Sequence, residues 1–132
     1  MNENEIARDI VSAAIEVHCC LGGPGLLESV YEEALCWELS QKGFSVERQH
    51  SLPILYKGNL LSTPLRLDIL VGGNVIVECK ATTEYNPIFE AQMLTYLRIS
   101  NLKLGLVINF GEKLAKNGIH RVINGFLTQV PT

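Results

Sequence analysis

The apolar residues of this chain repeat with two different periods, and the change of period divides it. From Glu5 to about Cys20, Ile6, Ile10, Ala13, Ala14 and Val17 recur at spacings of three and four, which predicts an amphipathic helix. The GGPG stretch at 22–25 ends it. A second helix is predicted from about Leu26 to Lys42, with Leu27, Val30, Tyr31, Ala34, Leu35 and Leu39 as its stripe and Gly43 as its stop. FSVERQ, LPILY, LRLDILV and NVIVECKA are different: short, rich in branched and aromatic residues, and separated by the turn signals KGN and GGN. They predict antiparallel strands or hairpins. Asn86-Pro87 opens a third helix, roughly Pro87 to Ser100, with proline near its first turn. LKLGLVINF is nearly continuous in apolar residues, as a strand buried on both faces is, and HRVINGF reads as an edge strand. The order helix, helix, strands, helix, strand implies an α/β (α+β) fold, a mixed sheet flanked by helices.

Composition narrows the function classes. With 132 residues and no repeat or linker, one domain over 1–132 is expected, and a domain of this size buries roughly two-thirds of its unfolded surface. A 47% hydrophobic and 19% charged content excludes a disordered or fibrous chain. No run approaches the roughly 18 apolar residues of a membrane span, and MNENEIARDI lacks a basic start followed by an apolar stretch, so a cytoplasmic address is expected. The net charge of -3, with 11 Lys and Arg residues scattered, gives no broad basic footprint for phosphates. Lys113, Lys116 and Arg121 make a loose cluster that reads as solvated charge. Cys19, Cys20, Cys36 and Cys79 have no C-x-x-C spacing, which argues against zinc, redox and iron-sulfur sites; small core residues in a reducing compartment are expected. His18, His50 and His120 lie far apart and fit no zinc pattern, and no G-x-x-x-x-G-K-[ST] loop is present.

The chemistry concentrates in LRLDILV and VIVECKA. A three-residue loop, Gly72-Gly73-Asn74, with Asn74 in the left-handed conformation, would close a hairpin in which Asp68 sits opposite Glu78. Alternation puts Lys80 on the face of Glu78 and Arg66 on the face of Asp68. A two-residue loop would instead pair Asp68 with Val77 and turn Glu78 away. Opposed carboxylates lie about 5 Å apart at Cβ and repel, so a cation belongs between them. Two arrangements meet that need. One is ion pairing of Asp68 and Glu78 with Arg66 or Lys80. The other is Mg²⁺ or Mn²⁺, which takes hard oxygen ligands from one or two carboxylates together with water and phosphate. Such a metal polarises a phosphoryl oxygen and lowers the pKa of water, and Lys80 would orient that water and stabilise the charge developing on phosphorus.

Asp68, followed on the next strand by Glu78-Cys79-Lys80, resembles the PD-(D/E)XK nuclease core. Gly25-Leu26-Leu27-Glu28-Ser29-Val30-Tyr31 is similar to the signature of the GxxExxY protein family, and SVYEEAL, LDILV, VIVECKA and GLVINFG extend the likeness over roughly residues 5 to 126. That family is similar in fold to PD-(D/E)XK nucleases, particularly the RecB-type branch. The resemblance implies a restriction-endonuclease-like core and a metal-dependent nuclease acting on DNA, less so on RNA. It implies Glu28, Asp68, Glu78 and Lys80 as catalytic residues, and Glu28, Asp68, Glu78 and the Cys79 carbonyl as metal ligands. Gln92 and Tyr96, four apart on one helical face, look like the Q-x-x-x-Y element that lines the substrate channel, and Tyr31 is placed with them. Pro64 is separated from Asp68, so the literal Pro-Asp pair is absent. The same fold also permits a catalytically silent module that binds nucleic acid or a protein, and a homodimer or larger partner would supply the basic surface this chain lacks.

Overall fold

The computed structural model describes residues 1–126; the expected domain's residues 127–132 lie outside them. The first helix, α1 (Glu3–Cys20), starts where the Asn2 side chain accepts the Glu5 amide N–H at 2.9 Å, a side-chain cap on an otherwise orphan donor. The second, α2 (Glu28–Gln41), stops at Gly43. There the Phe44 amide reaches back to the Leu39 carbonyl and the Gly43 amide to that of Ser40, the paired bonds of a left-handed glycine stop.

Among the described residues, seven strands follow in two sheets. The main sheet holds β1 (Val46–Leu52), β4 (Leu65–Val71), β5 (Val75–Lys80), β6 (Leu104–Asn109) and β7 (Ile119–Ile123) in that spatial order, and β2 (Leu55–Tyr56) pairs only with β3 (Asn59–Leu60). Neighbours are antiparallel except β5 and β6, which run parallel because α3 (Ile88–Ser100) carries the chain back between them.

The helices cover both faces. On one, Ile6, Ile10, Ala13 and Val17 of α1 and Tyr31, Leu35 and Leu39 of α2 pack on Ile69, Val77, Cys79 and Leu106. On the other, Met93 and Leu97 of α3 pack on Leu70, Ile76 and Val107. The approach at Met93 is close: a Cβ on Gly105 would collide with its sulfur. Each such side chain taken out of water contributes about 1.5–3 kcal/mol.

Several expectations change in detail. Leu27 is the residue before the helix and Val30 turns outward, so the buried stripe of α2 is Tyr31, Leu35 and Leu39, with Glu32 buried beside them. Leu52 of LPILY closes β1, while its last two residues form the small β2–β3 hairpin outside the main sheet. In the β4–β5 loop the left-handed residues are Gly72 and Gly73, while Asn74 keeps a negative φ. Of the cysteines only Cys79 is a core residue; Cys36 is half-buried, and Cys19 and Cys20 are exposed because they fall off the apolar stripe of α1. No helix among the described residues is long and apolar enough to cross a membrane.

Candidate active site

The β4–β5 ladder pairs Val71 with Val75, Leu70 with Ile76 and Ile69 with Val77, and the same register carried one step further sets Asp68 opposite Glu78. At that step side chains replace the backbone ladder. The Asp68 amide donates to Glu78 Oε1 at 3.4 Å, and the Cys79 amide donates to Asp68 Oδ2 at 2.9 Å. Each carboxylate is thus held by the opposite strand's backbone.

The other neighbour lets go at the same level. Gln49 of β1 faces Asp68, between the ladder pairs Arg48–Ile69 and His50–Leu67, but makes no pair of its own and takes φ +52°. In a regular strand successive side chains point to opposite faces. Here Arg48 Nε and Gln49 Nε2 both reach Glu32 Oε1, each at 2.8 Å, because the left-handed residue turns the second side chain back toward α2. Arg48 also reaches the Ser29 carbonyl, so the first turns of α2 are tied to β1.

Electrostatics reflect this crowding. Glu78 is only 7% exposed, and burial together with the adjoining Asp68 carboxylate pushes its pKa up to about 9. Glu28 opens the first turn of α2. Although the residue is solvent-exposed, surrounding protein raises its carboxyl; Lys80 opposes the rise, and Asp68 and Glu32 add to it. The Tyr96 hydroxyl is raised by burial and then by Glu78 and Asp68. Glu28 from α2 and Tyr96 from α3 therefore both sense Asp68.

Lys80 ends β5 half-buried, its carbonyl accepting the Phe110 amide at 2.8 Å. Its Nζ lies 4.7 Å from the Phe89 ring centroid; Phe89 meets Tyr85 edge-on, and Tyr85 stacks on His120 at 3.9 Å. Lys80 and Gln92 line an open cleft of about 600 Å³ with Phe89 and Thr95. Gln92 donates to the Tyr96 hydroxyl at 2.7 Å.

The structure brings Asp68 and Glu78 into one unit with Tyr96 and Gln92 beside it. Among the described residues no ion pair joins Asp68 or Glu78 to Lys80 or Arg66, so the ion-paired arrangement is not the one found. Nor, among those residues, do three acid, His or Cys side chains gather closely enough to form a metal-holding group. The donor set still suits a hard divalent cation: two adjoining carboxylates, one pushed toward its neutral form by burial and by the other.

The placing of Tyr31 in the substrate channel is corrected. It is fully buried, stacks on Phe110 at 4.7 Å, donates its hydroxyl proton to the Gly23 carbonyl at 2.7 Å and accepts the Leu26 amide at 3.1 Å. It pins the loop that leads into Glu28, which gives the G-x-x-E-x-x-Y spacing a physical reason. Gly25, at φ +112°, supplies a conformation that L side chains rarely adopt.

Two groups had escaped notice in the sequence. Buried Asn109 accepts the Thr82 and Gly111 amides and donates to the Thr82 carbonyl, each at 3.0 Å, fixing the chain just beyond Lys80. Its signal was a single amide closing the apolar run LGLVI. The Glu32–Arg48–Gln49 cluster carried no comparable signal, because the left-handed turn at Gln49 leaves no compositional mark.

A mixed five-stranded sheet between helices, with its acids and lysine at the open end of the central antiparallel pair, is of the restriction-endonuclease-like class. The chain belongs to the PD-(D/E)XK nuclease superfamily, whose family model matches residues 4–122. No curated protein and no solved structure matches it significantly.

Proposed function

We propose that this chain is a one-domain, metal-dependent phosphodiesterase of the GxxExxY type, acting on DNA ahead of RNA in the cytoplasm. The observation that carries the reading is the opposed Asp68–Glu78 pair, each carboxylate accepting a backbone amide of the opposite strand. Asp68, Glu78, the Cys79 carbonyl and Glu28 would hold Mg²⁺ or Mn²⁺. When bound, such an ion supplies charge stabilisation at phosphorus and a water of lowered pKa.

The chain's own residues do the rest. Lys80 has a short aromatic seat on Phe89 and reaches into the cleft, where its ammonium orients a nucleophilic water and stabilises charge on the phosphoryl oxygens. Gln92 lines the cleft, and its hydrogen bond to the Tyr96 hydroxyl would fix both side chains for contact with the strand. Attack is in line, with no covalent intermediate.

The net charge of -3, with no broad basic footprint for phosphates, favours the alternative of a silent module. Titrating Mn²⁺ into the protein while following cleavage of labelled single- and double-stranded DNA, and repeating both with Glu78→Gln, separates the readings. Metal binding and cleavage that both disappear in the variant support the nuclease. Cleavage that persists in the variant removes Glu78 from the chemistry, and nucleic-acid binding without cleavage by the parent favours the module.

A further inference from the structure

The β2–β3 ribbon and the residue after it leave four large apolar side chains in water. Leu55 is 69% exposed, Tyr56 58%, Leu60 68% and Leu61 41%. The turn joining the strands, Lys57-Gly58, has φ of +49° and +81°, the two left-handed residues of a tight type I′ turn, and so drives a lysine to the tip. That Lys57 ammonium lies 5.5 Å from the Tyr56 ring centroid. The base of the ribbon is fixed: Ile54 packs into the α3-side core with Phe89 and Tyr96, and the Leu61 amide bonds to its carbonyl at 2.9 Å.

Topology sets the ribbon beside the candidate site. It leaves β1 after Leu52 and enters β4 at Leu65, and these two residues are paired. Because β5 runs antiparallel to β4, Lys80 ends its strand at this same end of the sheet.

We propose that the ribbon is a wedge that enters the end of a nucleic-acid duplex and stacks on the bases it separates, delivering one strand to the cleft; this rests on the nuclease reading. Apolar side chains inserted at base steps unstack them, and an aromatic ring with a cation beside it takes any base on its face. The two faces decide the occupant. Leu55 and Leu60 pair across the ribbon on one face, while Tyr56 projects from the other, and both are open. A second copy of the chain would cover one broad face, and two leucines offer far less than the roughly 800 Å² per partner of a stable interface.

The test uses a duplex with 2-aminopurine near its end, bound in EDTA so that nothing is cut, alongside a matched single strand. The parent protein raises the fluorescence severalfold by unstacking, and Leu55→Ser/Tyr56→Ser/Leu60→Ser lowers that rise at least fivefold on duplex held saturated with protein. With Mn²⁺ present, its duplex-to-single-strand cleavage ratio falls at least tenfold. Tyr56→Ser alone, at an exposed position, shows the same direction should the triple variant not fold. Unchanged fluorescence and an unchanged cleavage ratio overturn the wedge while leaving the nuclease standing, as does a parent dimer that the substitutions dissociate without altering the ratio. Unstacking without cleavage supports the wedge and sinks the nuclease; a parent that binds neither nucleic acid sinks both.

Discussion

The two ends of the β4–β5 pair are built for different purposes. At the loop end, Val71, Val75, Leu70, Ile76, Ile69 and Val77 are buried apolar residues joined by a regular backbone ladder. At the other end the ladder gives way, and Asp68 and Glu78 accept the amides that a partner strand's carbonyls would otherwise take. The first end holds the fold by burial; the second holds two carboxyl groups together, one of them pushed toward its neutral form. Packing from the first end keeps the second in place, as expected where a site departs from local rules.

Substitutions break the two ends differently. The largest effect is expected from Glu78→Gln, which keeps the shape and removes the charge: cleavage should fall by roughly a thousandfold, the order found when one electrostatic group is removed from a preorganised site. Ile69→Ala, at the packed end, should cost about 2–5 kcal/mol in urea unfolding through the cavity it leaves. Rates per folded molecule should change far less than in Glu78→Gln.

The acid pair should also weaken the metal-free fold. The folded protein holds the Glu78 proton up to about 9, whereas the unfolded chain releases it near 4.5. Stability from this group is therefore complete below about 4.5 and declines as pH rises toward 9, by on the order of a few kcal/mol. Urea midpoints in EDTA should fall across that window for the parent, and Glu78→Gln should flatten the profile and be the more stable protein at pH 8. A parent midpoint that rises with pH, with the variant following it, would exclude this origin.

A smaller effect is expected at Tyr31. Tyr31→Phe removes the hydroxyl that joins Gly23 to Leu26, costing about 1–2 kcal/mol. If the loop places Glu28, Mn²⁺ affinity should drop severalfold with it, while Glu28→Gln combined with Tyr31→Phe adds no further loss of affinity.

The same contrast governs what could be read from the sequence. The loop end was legible because period-two alternation and a glycine-rich three-residue loop fix the register, and that register sets Asp68 opposite Glu78. The helices were legible by periodicity, apart from Leu27 and Val30, whose apolar character hides their place before or outside the buried stripe. The open end was only partly legible. Its residue types were visible, but the release at Gln49, the burial of Glu32 and the Asn109 clamp arise from backbone conformation and long-range contacts. The LPILY hairpin was legible, but not its standing apart from the main sheet: apolar composition predicts a strand without saying whether anything covers it.

The measurement that bears most directly on the central claim is calorimetric titration of Mn²⁺ into the parent, Asp68→Asn and Glu78→Gln at low ionic strength and pH 8. The account predicts saturable binding by the parent and its loss in both variants, since the two carboxylates act as one unit. Binding that survives in both, or no binding by the parent even with a non-cleavable nucleic-acid strand present, would contradict the reading of the Asp68–Glu78 pair as a metal site.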